Sequence, residues 1–197
     1  MEQDKKPEQK ENWRKTLLDC LHDMVRLLGV VVLVFVFGVR VVIVSGPSMD
    51  RTLHDGDYLL VLSNTLYRNP KAGDIVVASK KSFRDGEDIV KRIIATEHQI
   101  VDIDFENGIV YVDGVALDEP YINTPTNLRE GMQFPLVVEE GCVFVLGDNR
   151  NNSMDSRSTE IGLIRCREIT GKVFFLALPG GNSEEPRDWS RIGGLCA

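Results

Sequence analysis

Three groups of residues in this chain have types and surroundings that suit covalent chemistry. Ser48 lies in Ser45-Gly46-Pro47-Ser48-Met49-Asp50-Arg51-Thr52-Leu53, between an apolar stretch and an Asp55-Gly56-Asp57 turn, which leaves its hydroxyl at a domain edge. Taken alone, a serine beside glycine and proline is equally a turn residue. A hydroxyl becomes a nucleophile only when a base takes its proton. The histidines are His22, His54 and His98. His22 precedes the apolar stretch, and His54 falls in a turn, where a solvated surface residue is the plainer reading. The Gly-x-Ser-x-Gly elbow of α/β-hydrolases is absent, since Gly46 to Asp50 reads Gly-Pro-Ser-Met-Asp.

Lysine is the other candidate base, because burial disfavours the ammonium form and lowers the pKa. Lys91 stands in Asp88-Ile89-Val90-Lys91-Arg92-Ile93-Ile94, where strand alternation sends Lys91 and Arg92 to opposite faces so that one can point inward. The bland alternative is an edge strand with both cations in water. The third group is Gly147-Asp148-Asn149-Arg150-Asn151-Asn152-Ser153-Met154-Asp155-Ser156-Arg157, directly after the apolar run Cys142 to Leu146. As a calcium loop it fails, because Ser153 falls where the loop glycine belongs and Thr159 where the bidentate glutamate belongs. Its acids, arginines and hydroxyls suit ion pairs that rigidify a site, or a polar surface turn.

The elements that must position these groups are mostly short strands. β-branched runs at Tyr58 to Leu62, Asp74 to Ala78, Ile89 to Ala95, Ile100 to Ile103, Ile109 to Val112, Cys142 to Leu146 and Lys172 to Leu178 alternate with turn signals. Asn107-Gly108 and Asp113-Gly114 predict successive hairpins. No long amphipathic helix interrupts them, so the domain after Val44 is mainly β. Asp118 to Glu140, rich in Pro, Asn, Thr and Glu, reads as a long loop or partly ordered flap, and the stretch after Gly180 as loosely ordered.

Ahead of the β region, Leu27 to Val39 carries no charge, Arg40 interrupts, and Val41 to Val44 continue apolar. Thirteen apolar residues in a row exceed an ordinary strand, and with Val25 and a snorkelling Arg26 they predict a membrane anchor. A buried strand or core helix is the competing reading. No small-x-small cleavage site follows, so the anchor reads as uncleaved. Lys5, Lys6, Lys10, Arg14, Lys15 and Arg26 precede it, whereas only Arg40 and Arg51 follow closely, which puts the N-terminus in the cytoplasm and the β domain outside. The expected organisation is a cytoplasmic tail and interfacial lead-in at 1–24, an anchor at 25–40, an extracytoplasmic β catalytic domain at 41–180 and a C-terminal tail at 181–197. Met1 to about Asn12 read as a disordered tail and Trp13 to Arg26 as a helical lead-in at the interface.

The net charge of -7 and pI near 5.0 leave no basic stripe for nucleic acid. Cys20, Cys142, Cys166 and Cys196 form no C-x-x-C pair, which argues against a structural zinc site; spacing leaves open whether Cys142 and Cys166 pair. No metal or cofactor is implied.

In this order behind one apolar span, the motifs resemble the bacterial type I signal peptidase family. Ser45 to Leu53 is similar to its nucleophile box, Gly73-Asp74-Ile75-Val76-Val77 to its central strand box, Lys91-Arg92-Ile93-Ile94 to its base box and Gly147 to Arg157 to its final box. The resemblance implies a signal-peptidase-like antiparallel β catalytic domain at the outer face of the cell membrane. It implies a Ser-Lys dyad that cuts signal peptides from exported preproteins after a small-x-small motif, with those preproteins and the lipid bilayer as partners. By the same resemblance Ser48 attacks, Lys91 is the base and Ser153 orients the Lys91 amine. Asp155 and Arg157 form an ion pair beneath the site, Asp148 and Arg150 support the loop, and Val44, Met49, Leu53, Ile89 and Val90 line small apolar pockets. The Ser48 N–H holds the oxyanion. Gly46 stands where some relatives have a serine hydroxyl, so backbone or water must complete the hole. Arg51 replaces a common proline, which is expected to loosen the turn. The short interval from Lys91 to Gly147 implies a compact form.

Two other readings compete. Self-cleaving repressors of the SOS type share a serine followed by methionine and a later lysine, but carry a DNA-binding helix-turn-helix where this chain has a tail and a span. A catalytically silent membrane-anchored β domain is the non-enzymatic alternative; such a relative is expected to lose Lys91 or Ser153, and both are present.

Overall fold

The computed structural model describes residues 7–81, 83, 86–181 and 186–195. The chain divides into two compact units, Met1–Val39 and Arg40–Ala197. The first is a single helix, α1 (Pro7–Phe37), within which Trp13–Phe37 is long and apolar enough to cross a membrane. The helix therefore begins well before the anchor expected at 25–40, and it includes Pro7 to Asn12, which had read as tail. Lys5 and Lys6 lie outside the described residues. At the other end α1 stops at Phe37, and Arg40 belongs to a strand rather than to the anchor. Gly38 stands between the helix and the strand, its N–H closing the last turn on the Val34 carbonyl, and a glycine just past the last helical residue is a usual stop.

The second unit is built from β1 (Val39–Ile43), β2 (Tyr58–Ser63), β3 (Ile75–Ser79), β4 (Asp88–Thr96), β5 (Ile100–Asp104), β6 (Ile109–Val112), β7 (Val115–Ala116), β8 (Leu136–Val137), β9 (Cys142–Leu146), β10 (Ile164–Arg165), β11 (Ile169–Leu178) and β12 (Gly193–Gly194). They form an eight-stranded sheet in the order β1-β2-β11-β3-β4-β9-β10, with β12 on β11, and a four-stranded sheet in the order β7-β6-β5-β8. Every pairing that has a recorded register is antiparallel. The two predicted hairpins are present: Asp104 pairs with Ile109 across Asn107-Gly108, and Val112 with Val115 across Asp113-Gly114.

Three apolar clusters fill the unit. One packs Val44, Met49, Leu53, Leu59, Val61, Val77 and Val173. A second joins Val76, Ile93, Val143, Val145, Ile161 and Ile169. The third, around Val101, Val110, Phe144 and Leu146, joins the two sheets. β2 alternates in and out, with Leu59 and Val61 buried, whereas β9 is buried at every position because both its faces are covered.

Two regions are more ordered than their composition predicts. Beyond Gly180, the described residues 191–194 are docked: β12 pairs with β11, and Arg191 makes a two-pronged ion pair with buried Asp57, at 3.0 and 2.7 Å. The stretch from Asp118 to Glu140 has little regular structure apart from β8, yet side chains from the Gly147–Arg157 segment tie it down, as the site geometry makes clear.

Candidate active site

Ser48 and Lys91 reach one another from separate elements. β1 leads into the Ser45–Ser48 loop, which is fixed by Val44 N–H donating to the Asp57 carbonyl and Gly46 N–H donating to Asp55 Oδ1. A tight turn follows, with Asp50 N–H on the Pro47 carbonyl and Leu53 N–H on the Met49 carbonyl. Met49 and Leu53 plug this turn into the core with no exposed surface. Lys91 comes from β4, whose Asp88–Arg92 half is paired with β3. Its Nζ lies 2.6 Å from Ser48 Oγ and 3.0 Å from the Val90 carbonyl. The side chain is buried, and burial pushes the Lys91 pKa down to about 8, against the opposing pull of Asp155, Asp148 and Glu130.

The Gly147–Arg157 segment, leaving β9, closes the third side. Asn149 donates its backbone N–H to the Ser48 carbonyl and its Nδ2 to the Pro47 carbonyl. Gly147 permits this approach, since a Cβ there would collide with the Ser48 carbonyl oxygen and with Ser153 Oγ. The Asp155 carboxylate accepts from Gly147 N–H, from Ser153 Oγ at 2.9 Å and from Arg157 Nε and Nη2 at 2.8 Å each. Arg157 also donates to the carbonyls of Arg150 and Leu128. Ser153, read as orienting the Lys91 amine, lines the same groove as Lys91 and donates its hydroxyl to Asp155, while the amine bonds to Ser48 Oγ and the Val90 carbonyl.

Arg92, the neighbour sent to the other face, is also buried. Its Nε and Nη2 hold Asp148 at 2.8 and 2.7 Å, and Thr52 Oγ1 donates to the same carboxylate. Asp148 thus ties the base strand, the box and the turn after Ser48 together. Arg150 makes the matching fork to Glu119, at 2.9 and 2.7 Å, and donates to Thr126 Oγ1. Tyr121 stacks over Arg92 at 4.0 Å. Arg92, Thr52, Glu119, Tyr121 and Thr126 were not singled out from sequence. The signal available for Arg92 was its place beside Lys91; for Glu119 and Tyr121 there was none beyond a loop composition.

The groove beside the pair encloses about 270 Å³ and is walled by Val42, Val44, Ile89, Val90 and Phe83, with Met154 at its rim. Val44, Ile89 and Val90 line this groove; Met49 and Leu53 do not, and are wholly buried in a core cluster that also contains Val44. Gly46 also brings no donor to an oxyanion, since its N–H is spent on Asp55. The Ser48 N–H has no acceptor among the described residues. Arg51 holds φ 86°, a conformation closed to proline, and its Nη1 donates to the Ile122 carbonyl at 2.7 Å. His54 is exposed, near Asp50, and outside the groove lining. Cys20, Cys142 and Cys166 are free thiols, and Cys196 lies outside the described residues.

The family described as "Signal peptidase, peptidase S26" matches residues 17–178. Among curated proteins, "Signal peptidase I" of Bacillus licheniformis is 31% identical over 184 residues, covering 87% of this chain and 94% of that protein. "Signal peptidase I" of Bacillus caldolyticus is 37% identical over 151 residues, covering 70% and 78%. "Probable signal peptidase I-1" of Synechocystis is 35% identical over 158 residues, covering 76% and 74%. A crystal structure of a signal peptidase I from Enterococcus faecalis aligns with 53% of this chain and 97% of its own, at 30% identity and a TM-score of 0.43.

Proposed function

The chain belongs to the signal peptidase family, peptidase S26, and from that premise we propose that it cuts signal peptides with Ser48 as nucleophile and Lys91 as general base. Membership makes it a serine endopeptidase that removes signal peptides. The finer reading rests on one observation, the 2.6 Å approach of Ser48 Oγ to a buried Lys91 amine. A neutral amine accepts the hydroxyl proton as Oγ attacks the scissile carbonyl carbon, forming a tetrahedral adduct. The C–N bond then breaks, and the Lys91 ammonium returns its proton to the leaving amine, leaving the substrate acylated on Ser48. Water attacks the ester, giving a proton to Lys91, and the Ser48–acyl bond breaks as Lys91 passes that proton to Oγ, which frees the peptide's carboxyl group and restores the neutral amine and the hydroxyl. The unpartnered Ser48 N–H is suited to the oxyanion, where one donor is worth roughly 3 to 4 kcal/mol.

Ser153 acts one step removed, fixing Asp155 and through it the floor of the site. Cleavage after a small-x-small motif is the reading that an apolar groove walled by Val44, Ile89 and Val90 beside the dyad supports. Trp13–Phe37 serves as the anchor in the cell membrane, with the basic N-terminal side in the cytoplasm and the β unit outside. Exported preproteins and the bilayer are then its partners.

The test is incubation of detergent-solubilised wild type, Ser48→Ala and Lys91→Ala with a preprotein bearing an Ala-x-Ala site, followed by product mass. Cleavage at that site by wild type alone is expected. Unchanged cleavage by Lys91→Ala would overturn the dyad, and an inert wild type would leave the silent scaffold.

A further inference from the structure

In the reading above Ser48 has two tasks, an Oγ that attacks and an N–H that receives the oxyanion, and Gly46 brings no second donor because its own N–H is spent on Asp55. Both tasks depend on how the backbone is held on either side of the Ser48 Cα. The Pro47–Ser48 peptide is trans, so the Pro47 carbonyl and the Ser48 N–H point from opposite sides of one rigid plane. Whatever holds that carbonyl therefore aims that N–H. Two donors hold it: Asp50 N–H at 3.0 Å, from within the turn, and Asn149 Nδ2 at 3.0 Å, from the Gly147–Arg157 segment. The next peptide plane is pinned by the same residue, since Asn149 N–H donates to the Ser48 carbonyl at 3.1 Å.

Asn149 is itself held in place. It is buried, its carbonyl accepts Asn152 N–H at 3.0 Å, and both its neighbours are clamped by charge, Asp148 on Arg92 and Arg150 on Glu119. A carbonyl only accepts, so the part of the amide that faces Pro47 is its NH2. Asn149 lies outside the lining of the groove beside the pair, which leaves substrate binding there to other residues. We infer that Asn149 is a positioning residue that aligns the oxyanion donor: its side chain on the Pro47 carbonyl and its N–H on the Ser48 carbonyl set the direction of the Ser48 N–H before substrate arrives. This rests on the Ser48–Lys91 reading given above. Without the amide, the Asp50 bond alone leaves the peptide plane freer to rock, and the donor no longer points steadily at the place where the scissile oxygen gains its charge. Such a loss falls on the transition state and spares the binding of substrate.

The experiment compares full-length, detergent-solubilised wild type and Asn149→Ala on one preprotein, with Ser48→Ala and Lys91→Ala as inactive controls. Asn149→Ala removes the amide and keeps the backbone bond to the Ser48 carbonyl. Its kcat is expected to fall about tenfold, a part of the roughly 100- to 1000-fold that outright loss of an oxyanion donor costs, with KM within about twofold and the acid limb of the kcat/KM profile unmoved. The second readout is inhibition by a peptide aldehyde that carries the residues preceding the cleavage site. Ser48 Oγ adds to its carbonyl carbon while the hydroxyl proton passes to Lys91, and the aldehyde oxygen becomes the oxyanion. The inhibition constant is expected to rise about tenfold as well, whereas that of the matching peptide alcohol, which forms no adduct, stays within about twofold. A kcat for Asn149→Ala within about twofold of wild type would overturn the positioning role. So would a fall in kcat with an unmoved aldehyde constant, or with a displaced acid limb, the marks of a merely structural loss or of an effect on Lys91. Controls that still cleave would instead overturn the dyad. If Asn149→Ala does not fold, Asn149→Ser, which also lacks the amide, takes its place, and the same outcomes decide.

Discussion

The eight-stranded sheet carries Ser48 and Lys91 on the flanks of β1 and β4, whereas the four-stranded sheet carries neither and sends out the connection from Asp118 to Glu140. The first region is a scaffold with chemistry at its rim. The second is a strap that supplies Glu119, Tyr121, Thr126, the Leu128 carbonyl and Glu130 to the buried charges. The difference teaches that the reacting groups are few and local, while the field and rigidity around them come from a distant part of the chain. Long polar connections cost entropy to order, and here forked arginine contacts offset that cost.

This division can be broken from either side. Asp155→Asn removes the charge that Arg157 and Ser153 share inside the box, leaving a buried guanidinium without its main partner; a loss of about 3 to 5 kcal/mol is expected by denaturant unfolding. Glu119→Gln cuts the strap from Arg150, which still donates to Thr126 and the Gly147 carbonyl, so about 2 kcal/mol is expected, with faster proteolysis confined to the 118–140 stretch. A larger loss from Glu119→Gln than from Asp155→Asn would reverse the assignment and make the strap the principal support.

Much of this was legible because the residues declare their state locally. β-branched runs separated by Asn-Gly and Asp-Gly marked β2 to β6, β9 and β11 to within a residue or a few, since pleat and turn chemistry act over short distances. The Ser48, Lys91 and Gly147–Arg157 motifs pointed to groups that the fold brings together. What was not legible is tertiary. Met49 and Leu53 read as pocket residues, but the turn after Ser48 points them into the core. Ser153 was read as orienting the amine, and its hydroxyl donates to Asp155, a partner two residues away that the motif does not reveal. Arg92, Glu119 and Glu130 matter only through partners dozens of residues away, and periodicity carries no trace of such pairs. The lead-in read as helical at Trp13 to Arg26 is helical and continuous with the apolar span, whereas the order after Gly180 was hidden because glycine and proline masked the anchor that Arg191 makes with Asp57.

The central claim is that a desolvated Lys91, neutral at work, serves as the base. It is tested most directly by the acid limb of the kcat/KM profile of the wild-type enzyme. Because the free enzyme must hold Lys91 uncharged, activity is expected to rise tenfold per pH unit and level off above a midpoint near the lowered Lys91 pKa of about 8. A midpoint near 6.5, the ordinary range of a histidine, or one near 10.4, that of a solvated lysine, would contradict it.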